Sequence, residues 1–347
     1  MSLDSLQELL AEVNAYPDGT DLLITAFYTS AHHYRRSTIC TPFPSEVLAP
    51  LPGTKDKDFA SLQRALAALP AVQSLLGGED VLRNLPPTTL ALLQWLLLHP
   101  TRRRHFSQAT IGEMLRELPQ RDSSMRGWRL PGFAGHNTPA VVLRAHEGYA
   151  QAPFPRGTVA YHGTHLENLH SILHTGLQNL SGTRLQRTGA NFGAGIYLST
   201  NYDTAFSFCQ PCISWPLSRF GSKLRALLVC EVDLDRVDHT PSQSLPSATA
   251  TAATASSAAS DAASLTHHRH SDKDLPDTYL LVQRADALRL LYVLIYCDAA
   301  TAAVPAAAAA GAAGGRRRVN LCTLMVVIYA GFLLAKGLLA ALRQHRF

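Results

Sequence analysis

Two short stretches of this sequence combine residue types that can hold and activate a ligand. Tyr161-His162-Gly163-Thr164 closes a run of β-forming residues and precedes a helical one, Leu166 to Thr175. That order sets an imidazole and a bare glycine backbone at a strand end, where ligands commonly dock. About thirty residues later comes Asn191-Phe192-Gly193-Ala194-Gly195-Ile196-Tyr197-Leu198-Ser199, a glycine-paired turn entering a strand, followed by Ala205-Phe206-Ser207-Phe208. Gly193-Ala194-Gly195 does not sit between a strand and a helix, and no GxxxxGK[ST] run occurs, so neither a Rossmann cradle nor a P-loop is supported. Cys209-Gln210-Pro211-Cys212 has the spacing of half a zinc site or a redox pair, but no second CxxC or HxxxH follows at a suitable distance. The expectation is therefore no metal, with the six scattered cysteines as reduced thiols.

A strand-end HG[ST], an FGxGIYL[ST] run, an aromatic eleven residues past its Tyr, and a strand opening with Tyr279 in PDTYLLV resemble the NAD-dependent ADP-ribosyltransferase domain of the poly(ADP-ribose) polymerase (PARP) superfamily. The segments TSAHHYRRSTICTPFPS and KDFASLQRALAALP, with the apolar C-terminal stretch, resemble its tail-anchored branch of the endoplasmic reticulum. The likeness covers nearly the whole chain, apart from 239–274 and an Ala/Gly-rich tether.

The resemblance implies NAD as co-substrate, with His162 bonding a ribose hydroxyl and the Gly163 backbone holding the nicotinamide carboxamide. Thr164 joins them as a donor-binding residue. Tyr197 lines the nicotinamide pocket. Phe208 stands where the family commonly has Tyr and keeps the stacking face without the hydroxyl. Ala205 replaces a frequent Ser, which loosens the hold on the carboxamide. Arg184, with Arg187, lies in the loop over the donor pyrophosphate, to pair with phosphate or to remain solvated. Polymer-forming relatives carry Glu at the third position, and this chain has Tyr279. An unperturbed phenol, with a pKa near 10, is a poor base at pH 7, so the resemblance implies transfer of a single ADP-ribose. His162, Tyr197 and Tyr279 are the catalytic candidates. Taken singly, His162 also fits an ordinary strand-end polar residue, and the tyrosines fit core aromatics. Their joint order favours the site.

These residues need elements to carry them. From Leu3 to about His105 the apolar spacing is helical, with Asp21 to Arg36 and Asp58 to Leu76 separated by turns at Pro42, Pro44 and Pro50. This predicts an all-α regulatory domain over residues 1–110. β-type runs follow at Ala140 to Leu143, Val159 to His162, Ile196 to Ser199, Leu224 to Val232, Tyr279 to Gln283 and Leu290 to Tyr296. The expected class is α+β, with a transferase domain over 127–298 built, as the resemblance implies, on a split β-sheet. Residues 239–274, rich in Ser, Ala and Thr and holding His267, His268 and His270, are expected to be a disordered insertion.

The ends of the chain differ in kind. Of the 31 Lys and Arg in 347 residues, six follow Asp298 and no acid does, which leaves 25 against 26 in the body. That near-neutral body excludes a global nucleic-acid footprint. Met1 to Val13 reads as an amphipathic helix rather than a secretory signal. Leu321 to Leu342 is apolar apart from Thr323 and Lys336, and about 20 such residues span a bilayer. The expectation is a flexible basic tether over 299–318, a transmembrane helix over 320–342 and a short lumenal tail over 343–347. With this tail anchor the catalytic domain faces the cytosol. The resemblance adds an endoplasmic-reticulum address with the contiguous nuclear envelope, a part in the stress response of that compartment, and protein acceptors that include the chain itself. The rival expectation is a catalytically weak NAD- or ADP-ribose-binding membrane scaffold.

Overall fold

The computed structural model describes residues 3–99, 105–131, 138–179, 194–237 and 278–297. The first stretch is helical: α1 (Leu3–Ala15), α2 (Pro17–His32), α3 (Arg36–Ile39), α4 (Phe59–Ala67), α5 (Val72–Leu75), α6 (Glu79–Arg83) and α7 (Pro87–Leu98). In α1, Leu6, Leu9 and Val13 recur on one face and are buried. Pro17 opens α2, where its missing N–H costs nothing. The Asp58 side chain caps α4 by accepting from the Ser61 N–H at 2.9 Å. Helix α7 is apolar on nearly every side because it is buried, with Leu92, Leu93, Leu96 and Leu97 in the core. Its 12 residues fall short of the roughly 20 needed to cross a bilayer. No helix among the described residues is long and apolar enough to do so, and Leu321 to Leu342, the tether and the insertion lie outside them.

Next come β1 (Phe106–Ala109), α8 (Ile111–Arg121), β2 (Val141–Ala145), α9 (His146–Tyr149), β3 (Gly157–Thr164) and α10 (Leu169–Thr175). They are followed by β4 (Ile196–Ser199), α11 (Tyr202–Phe206), β5 (Cys212–Ile213), β6 (Lys223–Asp233), β7 (Tyr279–Val282) and β8 (Leu288–Cys297). The strands form one sheet in the order β1-β2-β8-β6-β3-β4-β7, with β5 beside the start of β6. Every described pairing is antiparallel, as expected of an α+β chain.

The helical stretch ends at Leu98, before the expected boundary at 110, because Phe106–Ala109 is a strand paired with β2. Nor do the helices keep a core of their own. Leu22, Ile24, Phe27 and Leu93 share one apolar cluster with Ala160, Leu166, Leu169, Leu228 and Val293 of the sheet and its crossover. A second cluster covers the other face, with Met114 and Leu118 of α8 against Val159, Tyr161, Leu227 and Leu294.

One seam is weak. Strand β3 pairs with β6 over eight residue pairs, Gly157↔Asp233 to Thr164↔Ala226, but meets β4 only at Tyr161↔Ser199. Beyond that pair His162, Gly163 and Thr164 have no ladder partner on the β4 side among the described residues, and the sheet opens there.

Candidate active site

Three of the predicted residues lie on the strands that flank the open seam. His162 lies on β3, Tyr197 on β4 and Tyr279 on β7, three consecutive strands of the sheet. Ser199 pairs with Tyr279, and Tyr197 with Leu281. Residues directly opposite share a face and alternate residues return to it, so Tyr197 and Tyr279 are diagonal neighbours on one side of the sheet. His162 crosses the seam: its Nδ1 is 2.9 Å from the Tyr197 main-chain oxygen. A carbonyl only accepts, so Nδ1 carries the proton and donates, which leaves Nε2 as an acceptor in the neutral ring. Burial pushes this imidazole below its ordinary pKa, against the opposing pull of the Tyr197 carbonyl, so the neutral form is favoured.

Gly163 departs from the expected reason for a glycine. A Cβ there would stand 1.9 Å from the Ala205 carbonyl oxygen and 2.9 Å from the Phe208 Cβ. The bare backbone therefore admits the end of α11 rather than a ligand on that side, and Ala205 and Phe208 close against the HGT strand end. Asn201 caps this short helix by accepting from the Thr204 N–H at 2.9 Å. Phe208, in the turn that follows, is 48% exposed and offers a ring face. Thr164 is buried, and its backbone N–H bonds toward the Cys209 thiol.

Cys209 is itself buried, which raises its pKa to about 12. It stays a thiol at neutral pH, where a thiol is a weak nucleophile. Among the described residues no group of His, Cys, Asp and Glu stands arranged around a metal site. Arg184 and Arg187 lie outside the described residues, as do Phe192 and Gly193.

Sequence reasoning missed the support under the HGT motif. The Thr29 hydroxyl of α2, which bonds within its own helix at 3.0 Å, approaches the Leu166 carbonyl at 3.4 Å, Phe27 stacks on His170 with ring centres 4.4 Å apart, and His170 Nε2 lies 2.9 Å from the Pro42 carbonyl. Asp21 of α2, fully buried, accepts from Ser218 Oγ at 2.6 Å and the Arg219 N–H at 3.0 Å. Arg219 also pairs with Asp18 at 2.9 Å. Nothing in local spacing announces contacts between residues 197 positions apart.

Comparison with known proteins agrees with this division of labour. Residues 11–97 match the family model described as the ARTD15 N-terminal domain, and residues 145–297 match the poly(ADP-ribose) polymerase catalytic domain. The chain is 26% identical over 287 residues to the mouse protein mono-ADP-ribosyltransferase PARP16, covering 80% of this chain and 78% of that one. The human PARP16 is 25% identical over the same span. Mouse protein mono-ADP-ribosyltransferase PARP8 is 25% identical over 223 residues, 60% of this chain but 24% of its own. With an ARTD15-type helical region followed by a poly(ADP-ribose) polymerase catalytic domain whose strands bear His162, Tyr197 and Tyr279, the chain belongs to the PARP superfamily of ADP-ribosyltransferases.

Proposed function

We propose that this chain is a NAD-dependent protein mono-ADP-ribosyltransferase, which moves one ADP-ribose from NAD to side chains of protein acceptors, itself included, and releases nicotinamide. The observation that supports this most is the placement of His162, Tyr197 and Tyr279 on three consecutive strands beside the opening of the sheet, with no carboxylate at the third position. The opening serves as the split of an ADP-ribosyltransferase-type sheet.

His162 Nε2 accepts from a ribose hydroxyl of the donor, and burial keeps it unprotonated for that task. The open peptide edge at Gly163 holds the nicotinamide carboxamide, and Tyr197 and Phe208 present flat faces to the ring. The bond between ribose and nicotinamide breaks with its electron pair leaving on nicotinamide, and an acceptor nucleophile forms the new bond at the same carbon. Orientation and exclusion of water lower that barrier without a strong base. Tyr279 offers no carboxylate to polarise a second ribose hydroxyl, so the product stops at one unit. Arg184 is the proposed partner of the pyrophosphate.

The C-terminal Leu321 to Leu342 is the proposed anchor in the endoplasmic-reticulum membrane and contiguous nuclear envelope, with the catalytic domain in the cytosol and a role in the stress response there. Deleting 321–347 should move the protein to the soluble fraction, and continued membrane association would contradict the anchor. Incubation with labelled NAD should leave a single ADP-ribose on the protein or a partner, read by mass spectrometry. Polymer in that assay would refute the role given to Tyr279.

A second reading, a membrane scaffold that binds NAD with little turnover, is favoured by Ala205 in place of Ser and by the half-open ring of Phe208. Calorimetric NAD binding without nicotinamide release would select it.

A further inference from the structure

Ser199 is 2% exposed and sits where three strands meet. It is the one β4 residue paired with β3, opposite Tyr161, and it also pairs with Tyr279 of β7. Its hydroxyl makes two bonds. It donates to the Thr278 carbonyl at 2.9 Å and accepts from the Asn201 N–H at 3.1 Å. Thr278 immediately precedes Tyr279, and its carbonyl also accepts from the Thr200 N–H at 2.8 Å and from Thr200 Oγ1 at 3.4 Å. Asn201 caps α11, whose last turn rests Ala205 on Gly163 and leads to Phe208. One buried oxygen thus ties the peptide before Tyr279 to the start of the helix that forms the opposite wall.

We propose that the Ser199 hydroxyl is a positioning group for the transfer reaction, holding Tyr279 at a fixed distance from the wall formed by α11 and Phe208. The inference rests on the transferase reading above. The geometry favours a role beyond packing. A β-ladder alone would hold β7 to β4, yet the hydroxyl and Thr200 converge on the single carbonyl that sets where Tyr279 begins. The other half of the same hydroxyl serves the pocket rather than the ladder. Ser199 lies behind Tyr279 and acts through it, with α11 as the wall against which Tyr279 is set.

The experiment is a double-mutant cycle on the full chain with nicotinamide release as readout. Ser199→Ala should lower kcat/KM about 5-fold, the size of one neutral hydrogen bond. Tyr279→Ala should lower it further. Because Ser199 acts through Tyr279, the double variant should be no worse than Tyr279→Ala alone. A double variant whose loss equals the product of the two single losses overturns the proposal, as does a Ser199→Ala protein that melts at a lower temperature with kcat/KM unchanged, or a Tyr279→Ala protein with full activity. If Ser199→Ala does not fold, Thr200→Val at the neighbouring exposed position strips a donor from the same carbonyl. It should cost about 2-fold and fail to add to Tyr279→Ala in the same way. A wild-type chain that releases no nicotinamide, with His162→Ala as the matched blank, overturns the transferase reading itself. An active wild type with an additive cycle overturns the positioning role alone.

Discussion

The tautomer of His162 is the residue-scale fact with the clearest consequence. With Nδ1–H given to the Tyr197 carbonyl, Nε2 is the atom left to accept, and a proton on it removes that capacity. Burial lowers the pKa, so acid must go below the ordinary imidazole value of about 6.5 before Nε2 is protonated. The expected pH profile of kcat/KM is flat from neutral upward and falls on its acid side with a midpoint under 6.5. A midpoint at or above that value would contradict the buried, neutral ring. Stability follows the same sign: the unfolded imidazole takes a proton near 6.5 while the folded one resists, so this group costs stability as pH drops through that value. His162→Ala should abolish labelling by NAD without unfolding the chain. Tyr161, next door, offers a stability test. Its hydroxyl is buried without a hydrogen-bond partner, and burial raises its pKa far above the ordinary phenol. An unpaired hydroxyl in an apolar core costs about 1 kcal/mol or more, so Tyr161→Phe should raise the melting temperature by a few degrees in calorimetry.

At the scale of elements, the six β-type runs read from the sequence correspond to β2, β3, β4, β6, β7 and β8, because each combines β-branched and aliphatic residues between turn formers. The order of His162, Tyr197 and Tyr279 along the chain was legible for the same reason. Other elements were not. Strand β1 is the four residues FSQA, too short and polar to show a period, and β5 has two residues. Helix α8 carries Pro119 in its interior, a residue that disfavours helix there, although Thr110 and Glu113 form a capping box that marks its start. Helix α8 matters through its last residue. Arg121 is buried and pairs with the fully buried Glu231 of β6 at 3.0 Å, donates to the Gln151 and Tyr149 carbonyls, and faces a carboxylate that also accepts from the Phe154 N–H at 2.7 Å. Removing Arg121 leaves the buried Glu231 carboxylate with the more distant Arg289, 3.8 Å away, so Arg121→Leu should destabilise by about 3 kcal/mol in denaturant titration. A loss under 1 kcal/mol would show that the sheet relaxes around Glu231.

For the whole molecule, the helical stretch is structural to the catalytic sheet. Helix α2 is buried along most of its length against the HGT crossover and the loop at Ser218 and Arg219, and its Asp21 is held there with a pKa raised by burial. Expressing 105–297 alone, without the apolar C-terminal stretch, would expose the face formed by Ala160, Leu166, Leu169 and Leu228 to water. That fragment should be insoluble or bind a hydrophobic dye, and a soluble, cooperatively melting fragment would show that the sheet folds unaided.

The lone pair Tyr161↔Ser199 has a dynamic corollary. A ladder of one rung, helped by the His162 imidazole on the Tyr197 carbonyl, transmits little cooperativity, so β4, β7 and the α11 that Ser199 ties to them open together at lower cost than the long β3–β6–β8 stack. Deuterium uptake should reveal it: amides of Ile196–Ser199 and Tyr279–Val282 exchanging together and early, those of Lys223–Asp233 and Leu288–Cys297 late. The width of the cleft is then a mechanical degree of freedom, and tight ligands slow that early exchange by opposing the opening.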